Sequence, residues 1–494
     1  MKKKISVAAD WGASGGKMAK GYFDGKKLNI GDYMDFVNDP VFLNGNLYWD
    51  LFRIYQNILH GIRNYAQNDD VISVGVDTWG ASYGFLDRKG RLLEPIYHYR
   101  DMRTEKTLDR VYQILSEKKI YELTGCRSNR SYTLPQLFSY VEHEEHIIDL
   151  ADKMLFLPDL LEYFLSGEIS VERSIAGTSG LMRPEQDTWA EEVFDALGLP
   201  KHIMGQITNT GRMAGYLLKE PAEISQAGKA KVISVCGHDT ASAVVGIPGF
   251  GIDQVYVSIG TNINMGIELT QSIVNEKSWN GGMKNAGLID DRKIFYKDFA
   301  ALWLLNELRR NWKSEGREYS YDLIMKMAEG CKSRRVYIDT EDIELNNPGG
   351  DIREKINAYL RKSGQEELET DAEFVRCIFE SVALKVKRCT EYLKYEMGLP
   401  VKKISVVNGG SRNYVLMQII SDALGMPIYA GMPYATLAGN ILTQFYALGE
   451  MSSVDEIREV AANSFEMREY QPDIAETKRW DEDMKVMIET GVCR

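Results

Sequence analysis

Five short apolar segments, each ending abruptly in glycine and polar residues, constrain the fold of this chain more than any other feature. Such runs are typical of buried strands followed by turns. Apolar residues at helical spacing lie between them, as at Leu51, Ile54, Ile58 and Ile62, and predict amphipathic helices. Strands alternating with helices predict an α/β architecture. The five segments are KKISVAADWGASGGK (3–17), VISVGVDTWGAS (71–82), KVISVCGHDT (231–240), VYVSIGTNIN (255–264) and KKISVVNGGSRN (402–413).

The length predicts more than one domain, because 494 residues exceed what one hydrophobic core usually supports. Gly and Pro interrupt the pattern at GIPGFGID (246–253), so we predict domains at residues 1–247 and 248–494. The pentapeptide KKISV occurs at residues 3–7 and again at 402–406, and DWGAS is matched by SIGTN. Both pairs predict two related α/β halves.

Charge and cysteine usage exclude several classes of protein. The formal net charge is −12, which argues against a nucleic-acid partner or an anionic membrane surface. The six cysteines are scattered without a C-x-x-C pair, so we expect neither a disulfide framework nor a zinc site, and a cytoplasmic location. No apolar run reaches the roughly 18 residues that span a bilayer.

The segment DWGASGGK, which follows the first predicted strand, has the composition of a phosphate-binding turn. Its glycines would let backbone N–H groups approach phosphate oxygens, Ser14 and Lys17 would add a donor and a charge, and Asp10 would hold the shell of a Mg²⁺ ion. It matches neither the P-loop nor the dinucleotide fingerprint. The alternative is a tight β-hairpin with a solvated lysine.

The segment GHDT offers a candidate general base, since the Asp239 carboxylate could accept a proton from a hydroxyl. Consecutive strand residues face opposite ways, so His238 and Asp239 share a site only if the strand has already ended. The residues from Thr240 onward fit a turn that opens a helix. Asp239 would then be either a base or merely a helix cap.

Three further segments are weaker on their own. DTWGAS and YHYRDMRT (97–104) supply aromatic and polar groups suited to a sugar, notably Trp79, Gly80, Arg100, Asp101 and Arg103; the alternative is a core tryptophan with surface ion pairs. SIGTNINMG (258–266) would be a second phosphate turn. NGGSRN (408–413) would let a flat base lie on bare backbone. Either of these two could equally be a plain hairpin turn.

Taken together, the order and spacing of these motifs resemble the FGGY family of carbohydrate kinases along nearly the whole chain. The matching series is DWGASGGK, VDTWGAS, YRDMRT, LPDLLEYFLSG, GHDTASA, SIGT, LWLL, NGGSRN and TLAGN. The resemblance implies two actin-like (ribonuclease-H-like) ATPase domains with an active-site cleft between them, the first on the sugar and phosphate side and the second on the nucleotide side. It implies Mg²⁺, and ATP as phosphate donor to a primary hydroxyl of a ketose, with L-rhamnulose as the first expectation.

The resemblance also assigns roles by position, with Asp239 as the catalytic proton acceptor and Asp10 near the metal. The implied substrate-binding residues are Trp79, Gly80, His238, Asp239, Thr240 and Asp298, and the implied ATP-binding residues are Ala13, Ser14, Gly15, Gly16, Lys17, Thr261, Asn306 and Gly409. The implied partners are the sugar and ATP, with no nucleic acid and no membrane, in a monomer or homodimer.

Several positions depart from the family pattern and leave the acceptor open. Lys17 stands where an arginine is expected, which keeps the charge and loses the bidentate fork. Asp298 takes the place of a sugar-contacting asparagine, or would be a helix cap. The other departures are Gly15, Ser82, Asn262, Asn306 and Tyr434. The alternatives are therefore a kinase for L-fuculose, D-xylulose or another ketose, or a weakly active sugar-sensing protein.

Overall fold

A computed structural model describes residues 2–143, 145–347 and 349–489 and confirms the α/β architecture. The chain forms two compact units. One comprises Met1–Phe250, Glu268–Phe295 and Tyr434–Phe465, and the other Gly251–Ile267, Tyr296–Pro433 and Glu466–Arg494. The first unit thus takes up two segments from beyond residue 247, and the division of the sequence at that residue stays a prediction.

The strands are β1 Lys4–Gly12, β2 Gly15–Phe23, β3 Leu28–Val37, β4 Val41–Leu43, β5 Asn46–Tyr48, β6 Asp70–Thr78, β7 Tyr83–Leu86, β8 Lys153–Phe156, β9 Val171–Glu172, β10 Met182–Arg183, β11 Thr188–Trp189, β12 Ile207–Thr208, β13 Arg212–Tyr216, β14 Lys231–Ser234, β15 Gln254–Ile259, β16 Asn262–Leu269, β17 Lys284–Gly287, β18 Lys293–Ala300, β19 Lys403–Val407, β20 Ile428–Gly431 and β21 Met467–Tyr470.

The helices are α1 Leu51–Ala66, α2 Thr107–Ile114, α3 Glu117–Thr124, α4 Thr133–Glu142, α5 Ile147–Leu150, α6 Leu157–Ser166, α7 Arg173–Ala176, α8 Glu191–Leu197, α9 Lys219–Ser225, α10 Asp239–Val245, α11 Glu276–Asn280, α12 Trp303–Ser314, α13 Tyr321–Gly330, α14 Ile343–Asn346, α15 Ile352–Lys362, α16 Asp371–Glu391, α17 Tyr414–Leu424, α18 Ala435–Ala447, α19 Val454–Ser464 and α20 Ile474–Glu489. Short 3-10 turns span Met102–Thr104, Lys201–Ile203 and Gly409–Arg412, and a π-helical turn spans Tyr392–Glu396.

Two mixed sheets carry the fold. The first has the order β13-β14-β6-β1-β2-β3, in which β1 pairs antiparallel with β2 and parallel with β6, and β6 pairs parallel with β14. The second has the order β17-β18-β16-β15-β19-β20-β21, in which β15 pairs antiparallel with β16 and parallel with β19. Each sheet therefore places a hairpin beside a parallel strand, as expected for related halves.

The correspondence between the two sheets shows which of the two apparent sequence repeats occupies equivalent positions. DWGAS and SIGTN both lie at the tips of corresponding hairpins, β1–β2 and β15–β16. The two copies of KKISV instead lie on β1 and β19, and β19 corresponds to β6 rather than to β1. Taking KKISV as an internal repeat was wrong, because the same five residues suit any buried strand.

The predicted amphipathic helices are confirmed. Helix α1 buries Leu51, Ile54, Ile58 and Ile62, and the Asp50 side chain caps it by accepting a hydrogen bond from the Arg53 N–H at 3.1 Å. Helix α18 packs on α10 by backbone contact: a Cβ on Gly439 would lie 1.7 Å from the Ser242 carbonyl oxygen. Only glycine permits this approach, which brings the side chains of α18 onto the first sheet.

Candidate active site

The turns that follow β1, β6 and β14 meet at the carboxyl edge of the first sheet. The Thr78 N–H donates to the Gly237 carbonyl at 2.9 Å, and the Trp79 N–H donates to the Trp11 carbonyl at 3.3 Å. Thr78 and His238 form a parallel β-bridge. The structure thereby brings together Asp10, Trp79, Gly80, His238, Asp239 and Thr240, which the sequence predicted separately.

A row of three charged side chains crosses this edge. Asp10 on β1 lies in register with Lys17 on β2 and with Asp77 on β6. Burial and, after it, the charge of the nearby Asp239 raise the pKa of Asp10 to about 7, against the lowering effects of Lys17 and of a hydrogen bond from Asp77. Burial, followed by the charge of Asp10, raises the pKa of the fully buried Asp77 well above its ordinary value.

Asp77 is a functional candidate that sequence reasoning missed, although the signal was present. It follows a buried strand just as Asp10 does, within the segment VISVGVDTWGAS. When each of two neighbouring parallel strands carries an acidic residue near its carboxyl end, the two side chains are expected to lie together at one edge of the sheet. The motif drew attention to Trp79 and Gly80 instead.

The segment DWGASGGK forms a β-hairpin, as the alternative interpretation proposed. Gly12 pairs with Gly15, so Ala13 and Ser14 make the turn. Gly16 is required by packing, because a Cβ there would lie 2.4 Å from the Trp11 ring. A hairpin does not decide against phosphate binding, since Asp10 and Lys17 face each other directly at its base.

Asp239 is the first residue of α10, and β14 has ended at Ser234, so His238 and Asp239 do belong to one turn. Asp239 Oδ1 accepts from the N–H of the next residue, Thr240, at 2.5 Å and lies 3.5 Å from His238 Nε2. A cap would bind the N–H groups one turn into the helix, so the capping interpretation was wrong. The Asp239 side chain is 29% exposed and can reach a ligand.

A buried carboxylate holds the backbone of this turn. Glu172 Oε2 accepts from the Gly237 N–H at 2.9 Å and from the Ser174 hydroxyl at 2.5 Å, and the Ser174 Oγ accepts from the His238 N–H at 3.2 Å. Glu172 Oε1 accepts from the Thr210 hydroxyl. Glu172 and Ser174 lie over sixty residues from the turn, and no local sequence signal pointed to them.

Aromatic side chains stand beside the same edge. Trp49 and Trp79 both donate their indole N–H to the Ser82 hydroxyl, at 3.1 and 2.9 Å. The His98 ring lies against the Trp49 ring at an interplanar angle of 32°, with the centroids 3.9 Å apart, and burial together with the nearby Arg100 lowers the pKa of His98 to about 4. Ser82, one of the departures from the family pattern, therefore fixes two tryptophans.

Two residues of YHYRDMRT have structural roles, and their contact with a sugar stays a prediction. Asp101 accepts from the Leu47 N–H at 2.7 Å and caps the 3-10 turn. The Arg103 guanidinium lies over the rings of Tyr97 and Tyr140, 4.0 and 4.7 Å from their centroids. Gly80 is needed for close packing, since a Cβ there would lie 2.9 Å from Thr178 Oγ1.

In the second unit, the predicted nucleotide residues gather at the carboxyl edge of its sheet. Thr261 follows β15, and its carbonyl accepts from the Trp303 N–H at 3.0 Å, at the start of the helix that carries Asn306. Gly409 follows the neighbouring strand β19, and a Cβ at Gly409 would meet no atom within 4 Å. NGGSRN forms a 3-10 turn followed by α17, not a hairpin.

Asp298 lies inside β18, five residues before α12, so its interpretation as a helix cap was wrong. Its Oδ1 accepts from the Asn264 amide at 2.7 Å, and the Asn264 Oδ1 accepts from the Tyr256 hydroxyl at 2.8 Å. Asp298 is thus held by a neighbouring strand of the second sheet. Its contact with sugar stays a prediction.

Among residues 2–143, 145–347 and 349–489 there is no cluster of three or more His, Cys, Asp or Glu side chains arranged for a metal ion, and no disulfide. Cys493 lies outside them. None of the helices in this part of the chain is long and apolar enough to cross a membrane.

Comparison with known proteins defines the class. Residues 43–246 match the N-terminal domain of the FGGY family of carbohydrate kinases, and residues 255–448 match its C-terminal domain. The chain therefore belongs to the FGGY family of carbohydrate kinases and is a sugar kinase.

Several known proteins are similar to this chain over nearly its whole length. It is 32% identical to a rhamnulokinase of Bacteroides thetaiotaomicron over 97% of this chain and 98% of that protein. It is 30% identical to a rhamnulokinase of Oceanobacillus iheyensis over 95% of this chain and 98% of that protein. A xylulose kinase structure from Lactobacillus acidophilus shares the fold, with a TM-score of 0.82 and 14% identity over 98% of this chain and 97% of that one.

Proposed function

We propose that this protein transfers the γ-phosphate of ATP to the primary hydroxyl of L-rhamnulose, giving L-rhamnulose 1-phosphate and ADP. The observation that carries the proposal is the partly exposed Asp239, which shares one sheet edge with Lys17, Asp10 and His238. The rhamnulokinases, similar over almost the entire chain, support the choice of sugar.

In the proposed reaction, Asp239 accepts the hydroxyl proton while the sugar oxygen bonds to the γ-phosphorus and the bond to the β–γ bridging oxygen breaks. ADP leaves with the bridging oxygen. Such a carboxylate contributes about 10²–10⁴-fold to the rate. His238, Thr240, Trp79, Gly80 and, from the second unit, Asp298 would orient the sugar, because positioning supplies much of the catalysis of phosphoryl transfer.

The phosphate groups would be bound by the hairpin turn of the first unit. Ala13, Ser14, Gly15 and Gly16 would provide backbone and hydroxyl donors, and Lys17 a positive charge. Thr261, Asn306 and Gly409 of the second unit would contact the nucleotide. The open space at Gly409 is consistent with a flat base on the backbone.

The residues at the edge fit a divalent cation. Asp10 and Asp77 are adjacent carboxyl groups near the charge of Asp239, and burial together with the charges of these neighbours raises the pKa of both, a crowding of carboxyl groups that a cation would relieve. Mg²⁺ usually binds one or two carboxylates together with substrate phosphates, so Asp10 would hold it here. The bound ion would neutralise charge on the β- and γ-phosphates.

We also propose a cytoplasmic monomer or homodimer without a nucleic-acid or membrane partner, whose family domains divide near residue 247. The absence of disulfides among the described cysteines agrees with a reducing compartment.

The test is ADP release from Mg-ATP with L-rhamnulose, L-fuculose and D-xylulose as acceptors. We expect L-rhamnulose to give the highest kcat/KM. A higher value for another ketose would transfer the proposal to that sugar. Tight sugar binding without ADP release would replace the kinase by a sugar-sensing protein.

A further inference from the structure

Five polar side chains form a fully buried chain of hydrogen bonds beneath the charged edge of the first unit. Ser6 lies on β1, Ser73 and Asp77 on β6, and Asn440 and Gln444 on α18, and each has 0% exposure. Burying polar groups is unfavourable unless they are hydrogen-bonded, so each partner in this chain matters. The proposed reaction gives no role to Ser6, Ser73, Asn440 or Gln444.

The direction of every bond follows from one backbone carbonyl. Gln444 donates to the Val7 carbonyl oxygen at 2.9 Å, so the atom there is Nε2 and the other amide atom is the acceptor. Gln444 Oε1 accordingly accepts from the Ser73 hydroxyl at 2.7 Å, and Ser73 must accept from Ser6. The second Nε2 hydrogen of Gln444 goes to Asn440 Oδ1 at 2.7 Å.

Asn440 must therefore turn its amide nitrogen towards Asp77. Its Nδ2 donates to Asp77 Oδ2 at 2.5 Å. With Oδ2 occupied, Oδ1 is the oxygen of Asp77 left for the contact with the Asp10 carboxyl on the neighbouring strand. Each donor points one step closer to Asp10, so the chain holds Asp77 in a single orientation.

A glycine makes this arrangement possible. A Cβ on Gly75 would lie 2.7 Å from Asn440 Oδ1 and 3.0 Å from Gln444 Nε2. Glycine in a strand interior usually weakens the strand, and it is explained here by the close approach of the two amides. Two glycines therefore bring the Asn440 and Gln444 amides close to β6: Gly75 leaves room for them on the strand, and Gly439 lets α18 pack closely on α10.

We propose that Asn440 and Gln444 are positioning residues, which hold the Asp77 carboxyl against Asp10 and so fix the direction of the Asp10 carboxylate for the metal–nucleotide complex. This inference rests on the proposed function, because that function gives Asp10 its metal. Groups that orient a metal-binding carboxylate typically change metal affinity or activity by about 10–100-fold when they are removed.

The test compares Asn440→Ala and Gln444→Met with Ser6→Ala. Calorimetry gives the Kd of ADP with Mg²⁺ and, separately, with EDTA, and thermal unfolding without metal gives the stability of each variant. We expect Asn440→Ala to weaken Mg-ADP binding by about 10–100-fold and to leave the Kd of ADP in EDTA unchanged. Gln444→Met, which preserves volume but frees Asn440, should have an effect in the same direction.

Ser6→Ala is the matched control, because it removes a buried hydrogen bond at the far end of the same chain. It should lower the unfolding temperature and leave both Kd values unchanged. Equal Mg-ADP affinity in folded Asn440→Ala or, if that variant does not fold, in Gln444→Met would overturn the inference. So would a Ser6→Ala variant that weakens Mg-ADP as much as they do.

Failure of the proposed function gives a different result. A wild-type protein that binds Mg-ADP but phosphorylates none of the ketoses would remove the proposed reaction, while the binding series would still decide the role of Asn440 and Gln444.

Discussion

The two hairpins, β1–β2 and β15–β16, have the same place in their sheets, but ionisable side chains cross the first and uncharged side chains cross the second. In the first, Asp10 pairs with Lys17 and Asp77. In the second, Ser258 takes the corresponding position and pairs with Asn264 and Val407. One topology therefore supports a row of ionisable side chains in one unit and a row of uncharged side chains in the other. The difference indicates that the fold supplies the position and the side chains supply the chemistry.

The largest effect should come from the charged unit, at the proton acceptor. We expect Asp239→Asn to lower kcat by about 10²–10⁴-fold, since an amide cannot accept the hydroxyl proton. Asp239 sits partly exposed at the start of α10, so the unfolding temperature should change little. ADP release measures the first quantity and thermal unfolding the second. A variant with undiminished kcat would remove Asp239 as the base.

Exchanging the two rows tests the comparison directly. Asp10→Ser gives the first hairpin the residue of the second, and we expect kcat to fall by about 10²–10³-fold, as for loss of one preorganised electrostatic group. Ser258→Ala loses only the bond from the Asn408 amide, 2.9 Å long, and about 1 kcal/mol of stability. Steady-state kinetics of both variants distinguishes them. Equal losses would mean that the charged row is not special.

The turns behind the two edges are held differently as well. A buried carboxylate, Glu172, binds the turn of His238, whereas the Gly409 turn is held by neutral groups such as the Asn408 amide. Glu172→Gln turns an acceptor into a partial donor against Gly237. We expect the free energy of unfolding to fall by about 1–3 kcal/mol. We also expect kcat to fall by up to about 10²-fold, because Asp239 would be misplaced.

The control for Glu172→Gln is Thr210→Val, which removes the donor to Glu172 Oε1 and the acceptor of the Cys236 thiol but keeps the Glu172 carboxylate. It should reduce stability and preserve kcat. If Thr210→Val and Glu172→Gln lower kcat equally, the fall in kcat is a consequence of lower stability, and the hydrogen bond from Glu172 to the turn does not position Asp239.

In the turn that follows β19, two neighbouring glycines should behave differently. A Cβ on Gly410 would lie 2.3 Å from Ile259, so Gly410→Ala should cost about 1–3 kcal/mol by overpacking. A Cβ on Gly409 would meet open space, so Gly409→Ala should fold normally and raise only the KM for ATP. Chemical denaturation and ATP titration of the pair check this. An unchanged KM in Gly409→Ala would place the nucleotide elsewhere.

The smallest effect concerns the buried acids. Burial raises the pKa of Glu162 to about 7, against the lowering effect of Arg212. Between pH 4.5 and 7 the folded chain retains a proton on Glu162 that the unfolded chain has released. The contribution of Glu162 to stability therefore falls as pH rises through this window.

Glu162→Gln should flatten the dependence of the unfolding free energy on pH between about 4.5 and 7. Denaturant unfolding at several pH values measures that slope. An unchanged slope in Glu162→Gln would assign the proton to another buried acid.

Much of this structure was predictable where the signal is local. Strand ends, the first residues of α10 and the face of α1 follow from short patterns of apolar, small and polar residues. Contacts between distant parts of the chain were not predictable in this way. Asn440 lies 363 residues from Asp77, and Glu172 lies 65 residues from Gly237. Repetition of KKISV misled, because a buried strand constrains composition more than position.

The most direct measurement is phosphorus NMR of L-rhamnulose incubated with Mg-ATP and either the wild-type protein or Asp239→Asn. We predict that the wild type forms ADP and a sugar 1-phosphate in equal amounts, and that the variant forms neither at a comparable rate. Formation of ADP and inorganic phosphate without a sugar phosphate, or equal rates in both proteins, would contradict phosphoryl transfer to a ketose with Asp239 as the base.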